Sequence, residues 1–124
     1  MTASSAGLHE DPAALSEATK DHHRAVVSVL EELEAVDWYH QRAEAATDPE
    51  LRAILEHNRD EEKEHAAMVL EWLRRRDATL DQHLRDFLFT DGPIMHAHEG
   101  EAGEEASSGD ESLGIGSLRA GGAA

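Results

Sequence analysis

Apolar residues recur at three- and four-residue spacing from Leu15 onward. Leu15, Ala25, Val26, Val29, Leu33 and Val36, with His22 among them, fall on one side of a helix that turns about 100° per residue. A second stripe groups Leu51, Ile54, Leu55, Asn58, Val69, Trp72 and Leu73. Helix-start chemistry frames both stripes. Asp11-Pro12 pairs an acidic cap with the residue that can hold the first helical position without losing a hydrogen bond, which predicts a helix from Pro12 to about Ala46. Thr47-Asp48-Pro49-Glu50 repeats that signal, so a second helix should run from Pro49 to about Arg76, with Arg74, Arg75 and Arg76 at the negative end of its dipole. A shorter third helix, Ala78 to Phe89, is predicted before Asp91-Gly92-Pro93 stops it. A turn at Thr47-Asp48 makes the two long helices an antiparallel hairpin, and two such hairpins make a four-helix bundle.

Both stripes carry ionisable groups where apolar ones belong: Glu32 on the first helix, Glu62 and His65 on the second. An unpaired carboxylate in an apolar stripe costs on the order of several kcal/mol in lost hydration, so it needs a partner. A metal ion is one. A buried histidine paired with a carboxylate, or a charge network between subunits, is the plainer alternative. Glu62 and His65 are three residues apart and share a face, while Glu32 and Glu62 are equidistant from the turn and so meet at similar height. Di-iron carboxylate bundles use one Glu from each of two helices and a Glu-x-x-His from each of the other two. This chain supplies one of each, so a two-fold axis would complete the set with four carboxylates and two imidazoles. The expected fold class is all-α: a two-helix hairpin plus a short third helix, dimerising into a four-helix bundle.

Composition strengthens the metal reading. The formal charge is −16, from 27 acidic against 11 basic residues, which disfavours nucleic acid and anionic membrane surfaces and concentrates cations. With no cysteine, any metal must be held by oxygen and imidazole, the donors that suit iron, manganese, magnesium or calcium. Aromatic residues are only 4% of the chain and alanine inflates the apolar count, so a monomer has a thin core that association would enlarge. Neither a basic-then-apolar leader nor a stretch of membrane-spanning length is visible, and a cytoplasmic location is the expectation.

Two further faces carry candidate chemistry. Trp38 points away from the stripe with Glu31 and Glu34 beside it, which suggests a second subunit contact with an acidic entry point for cations; a solvated acidic face is the alternative. His57, Glu61 and Glu64 share the outer face of the second helix at spacings that suit a peripheral metal site, for which calcium is a candidate ion, or a solvated face. His9, His23, His40, His83, His96 and His98 show no ligand pattern, and His22 reads as a core residue. Residues 1–93 form the expected helical domain. Residues 94–111 read as a disordered acidic linker, and residues 120–124 as a disordered tail. Between them, Ser112-Leu113-Gly114-Ile115-Gly116-Ser117-Leu118-Arg119 alternates apolar with small residues at the end of a tether, the form of a peptide ligand or of a frayed tail.

The segments Val27 to Tyr39, His57 to Met68, Leu70 to Arg75 and Ser112 to Arg119 together resemble the encapsulated ferritins, ferritin-like proteins whose cargo peptide directs them inside an encapsulin shell. The resemblance implies ferroxidase chemistry, in which O2 oxidises Fe(II) to Fe(III) at a di-iron site shared by two subunits, with Glu32, Glu62 and His65 as ligands. It also implies a ring of five dimers, a homodecamer, with mineral storage left to the encapsulin nanocompartment. On that reading residues 112–119 are the shell-targeting peptide. Tyr39, near Glu32 on the helical wheel, is either a donor that orients Glu32 or an ordinary core tyrosine. Alternatives from other classes are a chain that binds iron without oxidising it and a purely structural cargo protein.

Overall fold

The computed structural model describes residues 6–95. The linker beyond Met95, the Ser112 to Arg119 peptide, His96, His98 and the tail lie outside the described residues. The described residues divide into two compact units that part between Arg76 and Asp77. Helices α1 (Glu17–Ala45) and α2 (Pro49–Arg75) belong to the first, and α3 (Ala78–Phe87) to the second. Among the described residues every element is helical, in keeping with the expected all-α class.

Local chemistry sets the helix boundaries. Asp48 caps α2, its carboxylate accepting from the Leu51 amide at 2.8 Å with Pro49 in the first turn. Asp77 caps α3 in the same manner through the Leu80 amide. The expected start of α1 is corrected. Asp11 does cap a helical turn, accepting from the Ala13 amide, but that turn is the short 3-10 segment Pro12–Ala14. Leu15 then runs extended, and the long helix begins afresh at Ser16, whose hydroxyl accepts from the Thr19 amide at 3.1 Å. The third helix also ends earlier than expected, at Phe87, because Leu88 is extended and Phe89 sits at φ 61, in the left-handed region. Ile94 and Met95, the first residues of the expected linker, have helical backbone.

The α1–α2 hairpin has almost no interior. Ala43, Ala66 and Leu73 are the buried apolar residues among those described, and two of them are alanines. Stripe residues expected to face a core remain open: Leu33 and Ile54 are each 52% exposed, and Leu51 is similarly bare. Two helices packed as one layer can cover only one flank of each stripe, so the other flank stays wet until something lies on it. His22, expected in the core, is exposed as well. The turn is closed by Arg52, whose guanidinium donates from Nε to the Ala43 carbonyl at 2.8 Å and from Nη2 to the Glu44 carbonyl at 3.0 Å. Those carbonyls lie past that of Arg42, which accepts from the amide of the Ala46 cap, and would otherwise lack a protein donor among the described residues.

Candidate metal centre

Glu32 stands midway along α1 and faces α2, where Glu62 and His65 occupy successive turns of one face. The hairpin brings all three together. One ligand atom from each lies within 4.8 Å of the other two, the only such group of three acidic or imidazole side chains among the described residues. His65 Nδ1 is 3.0 Å from Glu62 Oε1 and 3.6 Å from Glu32 Oε1. The cluster is reachable from solvent, with side-chain exposures of 28% for Glu32, 22% for Glu62 and 43% for His65.

Two carboxylates and one imidazole this close must share protons. A hydrogen bond with Glu62 raises the Glu32 carboxyl above its ordinary range, and burial and the Glu62 charge add to that. The same hydrogen bond, with a second from His65, draws Glu62 below its ordinary value. His65 is raised, chiefly by its hydrogen bond to Glu62 and then by the charges of both carboxylates. The metal-free cluster is therefore self-satisfied, with Glu32 as the readiest carboxyl proton carrier and the imidazole as the readiest cation. A divalent ion at the same place would replace those protons and meet hard oxygen donors with one nitrogen, a set that suits iron.

The other sequence candidates do not converge within one chain. Glu31, Glu34, His57, Glu61 and Glu64 are exposed, and Trp38 is 49% exposed on the side of α1 where the wheel placed it. Tyr39 is half-buried with the Arg42 guanidinium 5.5 Å from its ring centroid, and among the described residues no hydrogen bond joins it to Glu32. Sequence reasoning passed over a second link between the helices: Arg59 Nη1 lies 3.2 Å from His40 Nδ1. Their distances from the turn differ by about one helical turn, so matching height gave no signal; the long arginine side chain spans the offset.

An all-α hairpin presenting this donor set between its helices defines a ferritin-like helical protein. The chain belongs to the EncFtn-like family, which it matches over residues 7–91, and is thereby an encapsulated ferritin. It is 60% identical to the encapsulated ferritin-like protein of Rhodospirillum rubrum, over 96% of this chain and 92% of that protein. It is 33% identical to the encapsulin nanocompartment cargo protein EncC of Myxococcus xanthus, over 75% of this chain and 80% of that one. The crystal structure of a Nitrosomonas europaea protein, 60% identical, superposes with a TM-score of 0.71 and covers 73% of this chain and 99% of its own.

Proposed function

We propose that this chain is a ferroxidase: two copies pair so that Glu32, Glu62 and His65 from each hold two Fe(II) ions, which dioxygen oxidises to Fe(III). The observation that carries the reading is the convergence of those three side chains from two helices to within 4.8 Å. Exposed Leu33 and Ile54 on the same helices support the pairing, since a second hairpin laid on them would supply the missing layer and double the donor set. Iron here is substrate. Hard carboxylates favour Fe(III) over Fe(II), and a site formed from two copies holds both ions side by side. The chain's own part is to give up the proton shared by Glu32 and Glu62, present His65 as a neutral ligand, and leave room for dioxygen.

Relatives named for encapsulation and for encapsulin cargo support a second element of the proposal. Residues 112–119 dock the chain inside an encapsulin shell, which receives the oxidised iron and places the enzyme in a cytoplasmic nanocompartment. Glu31, Glu34 and Trp38 serve cation entry where pairs of chains meet in a larger ring, and His57, Glu61 and Glu64 hold a peripheral cation.

Stopped-flow absorbance with simultaneous oxygen consumption tests the chemistry. Glu32→Ala, Glu62→Ala and His65→Ala are each expected to slow Fe(II) oxidation by more than about a hundredfold, beyond what loss of a ligand's supporting partner does elsewhere. Normal oxidation in all three would sink the assignment. Iron uptake without oxygen consumption in the unaltered chain would replace catalysis with sequestration.

A further inference from the structure

The hairpin's apolar packing is poorly suited to set its own register. Two of the three buried residues are alanines, which slide past one another with little penalty, and the larger stripe residues are half open. Polar links between α1 and α2 must supply the precision. Among the described residues there are three: Arg52 to the Ala43 and Glu44 carbonyls, Arg59 to His40, and the Glu32–Glu62–His65 cluster itself. They differ in kind. Asp48, the other cap at the turn, bonds only within the start of α2 and fixes nothing across the pair. Arg59 bonds a side chain, which can follow a small slip by rotating. Arg52 bonds two successive main-chain carbonyls in a planar fork, and these cannot move without moving the helix.

Height along the hairpin makes this matter for the metal site. At 1.5 Å per residue, Ala43 lies about 16.5 Å along α1 from Glu32, and Arg52 about 15 Å along α2 from Glu62. The two arms are nearly equal, so the level at which Arg52 grips α1 is the level at which Glu32 meets Glu62. A slip of one residue between the helices would shift one against the other by about 1.5 Å. A shift of that size would carry Glu32 Oε1, now 3.6 Å from His65 Nδ1, out of contact with the α2 pair. We infer that Arg52 is a positioning residue for the metal centre: its bidentate bond to the C-terminal carbonyls of α1 selects the one register in which Glu32 faces the Glu62–His65 pair. The inference rests on the metal reading of that cluster for its binding consequence and on the hairpin's geometry alone for its structural one.

The test uses the full chain, with Co(II) as a redox-stable probe ion measured by titration calorimetry and visible absorbance. Arg52→Gln is expected to weaken Co(II) binding by about tenfold or more while helicity at 25 °C stays that of the unaltered chain. Arg52→Lys, which keeps the charge and can hold one carbonyl, should restore part of the loss. Arg59→Gln should weaken binding less than Arg52→Gln. A purely stabilising role would lower the melting temperature and leave the affinity of the folded chain unchanged, so equal Co(II) affinity in Arg52→Gln overturns the inference. Greater damage from Arg59→Gln does so too. A second readout needs no metal. The chain has no cysteine, so nitroxides can be attached at Asp37→Cys on α1 and Glu56→Cys on α2, both exposed positions, with labelled chains diluted in unlabelled ones. Replacing Arg52 by Gln should broaden the dipolar distance distribution or move its mean by about 1.5 Å or more; an unchanged distribution overturns the inference. If the unaltered chain binds no Co(II), the metal reading fails by itself, and the spin-label distance still decides the register.

Discussion

Helix α2 carries two clusters built on the same spacing, and they do opposite things. Glu62 and His65 sit three residues apart, and so do Glu71 and Arg74. In the second cluster Arg74 grips Glu71 through Nε and Nη2, and Arg75 adds a third bond, each at 2.7 Å. Both oxygens of Glu71 are occupied by permanent cations, and its carboxyl is held down at about 2, chiefly by the Arg74 hydrogen bonds. In the first cluster an imidazole takes the place of the guanidinium, and a second carboxylate arrives from α1. Acid there exceeds base, and the only cation is a proton that can leave. The acid–base spacing is therefore not what makes a metal site. A removable cation and a surplus carboxylate are.

Converting one cluster into the other should give the largest effect. His65→Arg is expected to pair with Glu62 as Arg74 pairs with Glu71, leave helicity intact, and abolish Fe(II) oxidation, a loss of more than about a hundredfold in oxygen consumption. Retained oxidation would mean that a displaceable proton is not what distinguishes the two.

A smaller effect comes from pH. Glu32 and His65 are both raised in the metal-free chain. Their protonated forms are favoured by folding at pH values below the unfolded-state values, and that contribution is lost as pH rises through the folded ones. Metal must displace these protons, so its affinity runs the other way, climbing as pH rises through the raised His65 value and releasing protons on binding. Titration calorimetry with Co(II) in buffers of different ionisation enthalpy measures the release. Binding that is flat from pH 5 to 8 would contradict the shared-proton account, and the Glu71 cluster should contribute nothing across that range.

The readable and unreadable parts of this molecule divide along a physical line. Caps are local, so Asp48-Pro49 marks the start of α2 to the residue, as the Glu32–Glu62–His65 convergence follows from helical period and distance to the turn. Asp11-Pro12 misled because a cap states that a turn begins, not how long it lasts; the extended Leu15 and the new Ser16 cap restart the helix. The expected third helix runs on to Phe89 because nothing in that side chain foretells a left-handed backbone. Arg52 and the Arg59–His40 link were invisible for a different reason. Arg52 depends on where the last carbonyls of one helix lie against the first turn of the next, and Arg59 on a long side chain reaching about a turn out of step to His40; periodicity contains neither. The stripes told which residues want cover, but the half-exposed Leu33 and Ile54 show that one chain does not provide it.

The smallest effect belongs to the cluster that should not bind metal. Glu71→Gln removes the acceptor that holds Arg74 and Arg75, yet it lies beyond the metal ligands on α2 and shares no bond with them. Fe(II) oxidation should stay at the unaltered rate. The melting temperature should fall slightly at neutral pH, because a carboxyl whose folded value is depressed adds stability above its unfolded value, and that addition is lost as pH falls through about 2. The difference between the two chains should therefore shrink toward pH 2. It should also shrink in high salt at neutral pH, since the pair is partly open to solvent and the interaction is screened. A salt-independent difference would mean that Glu71 acts through packing instead of charge. Slowed iron oxidation would mean that the two clusters on α2 are coupled, and the contrast between them would no longer hold.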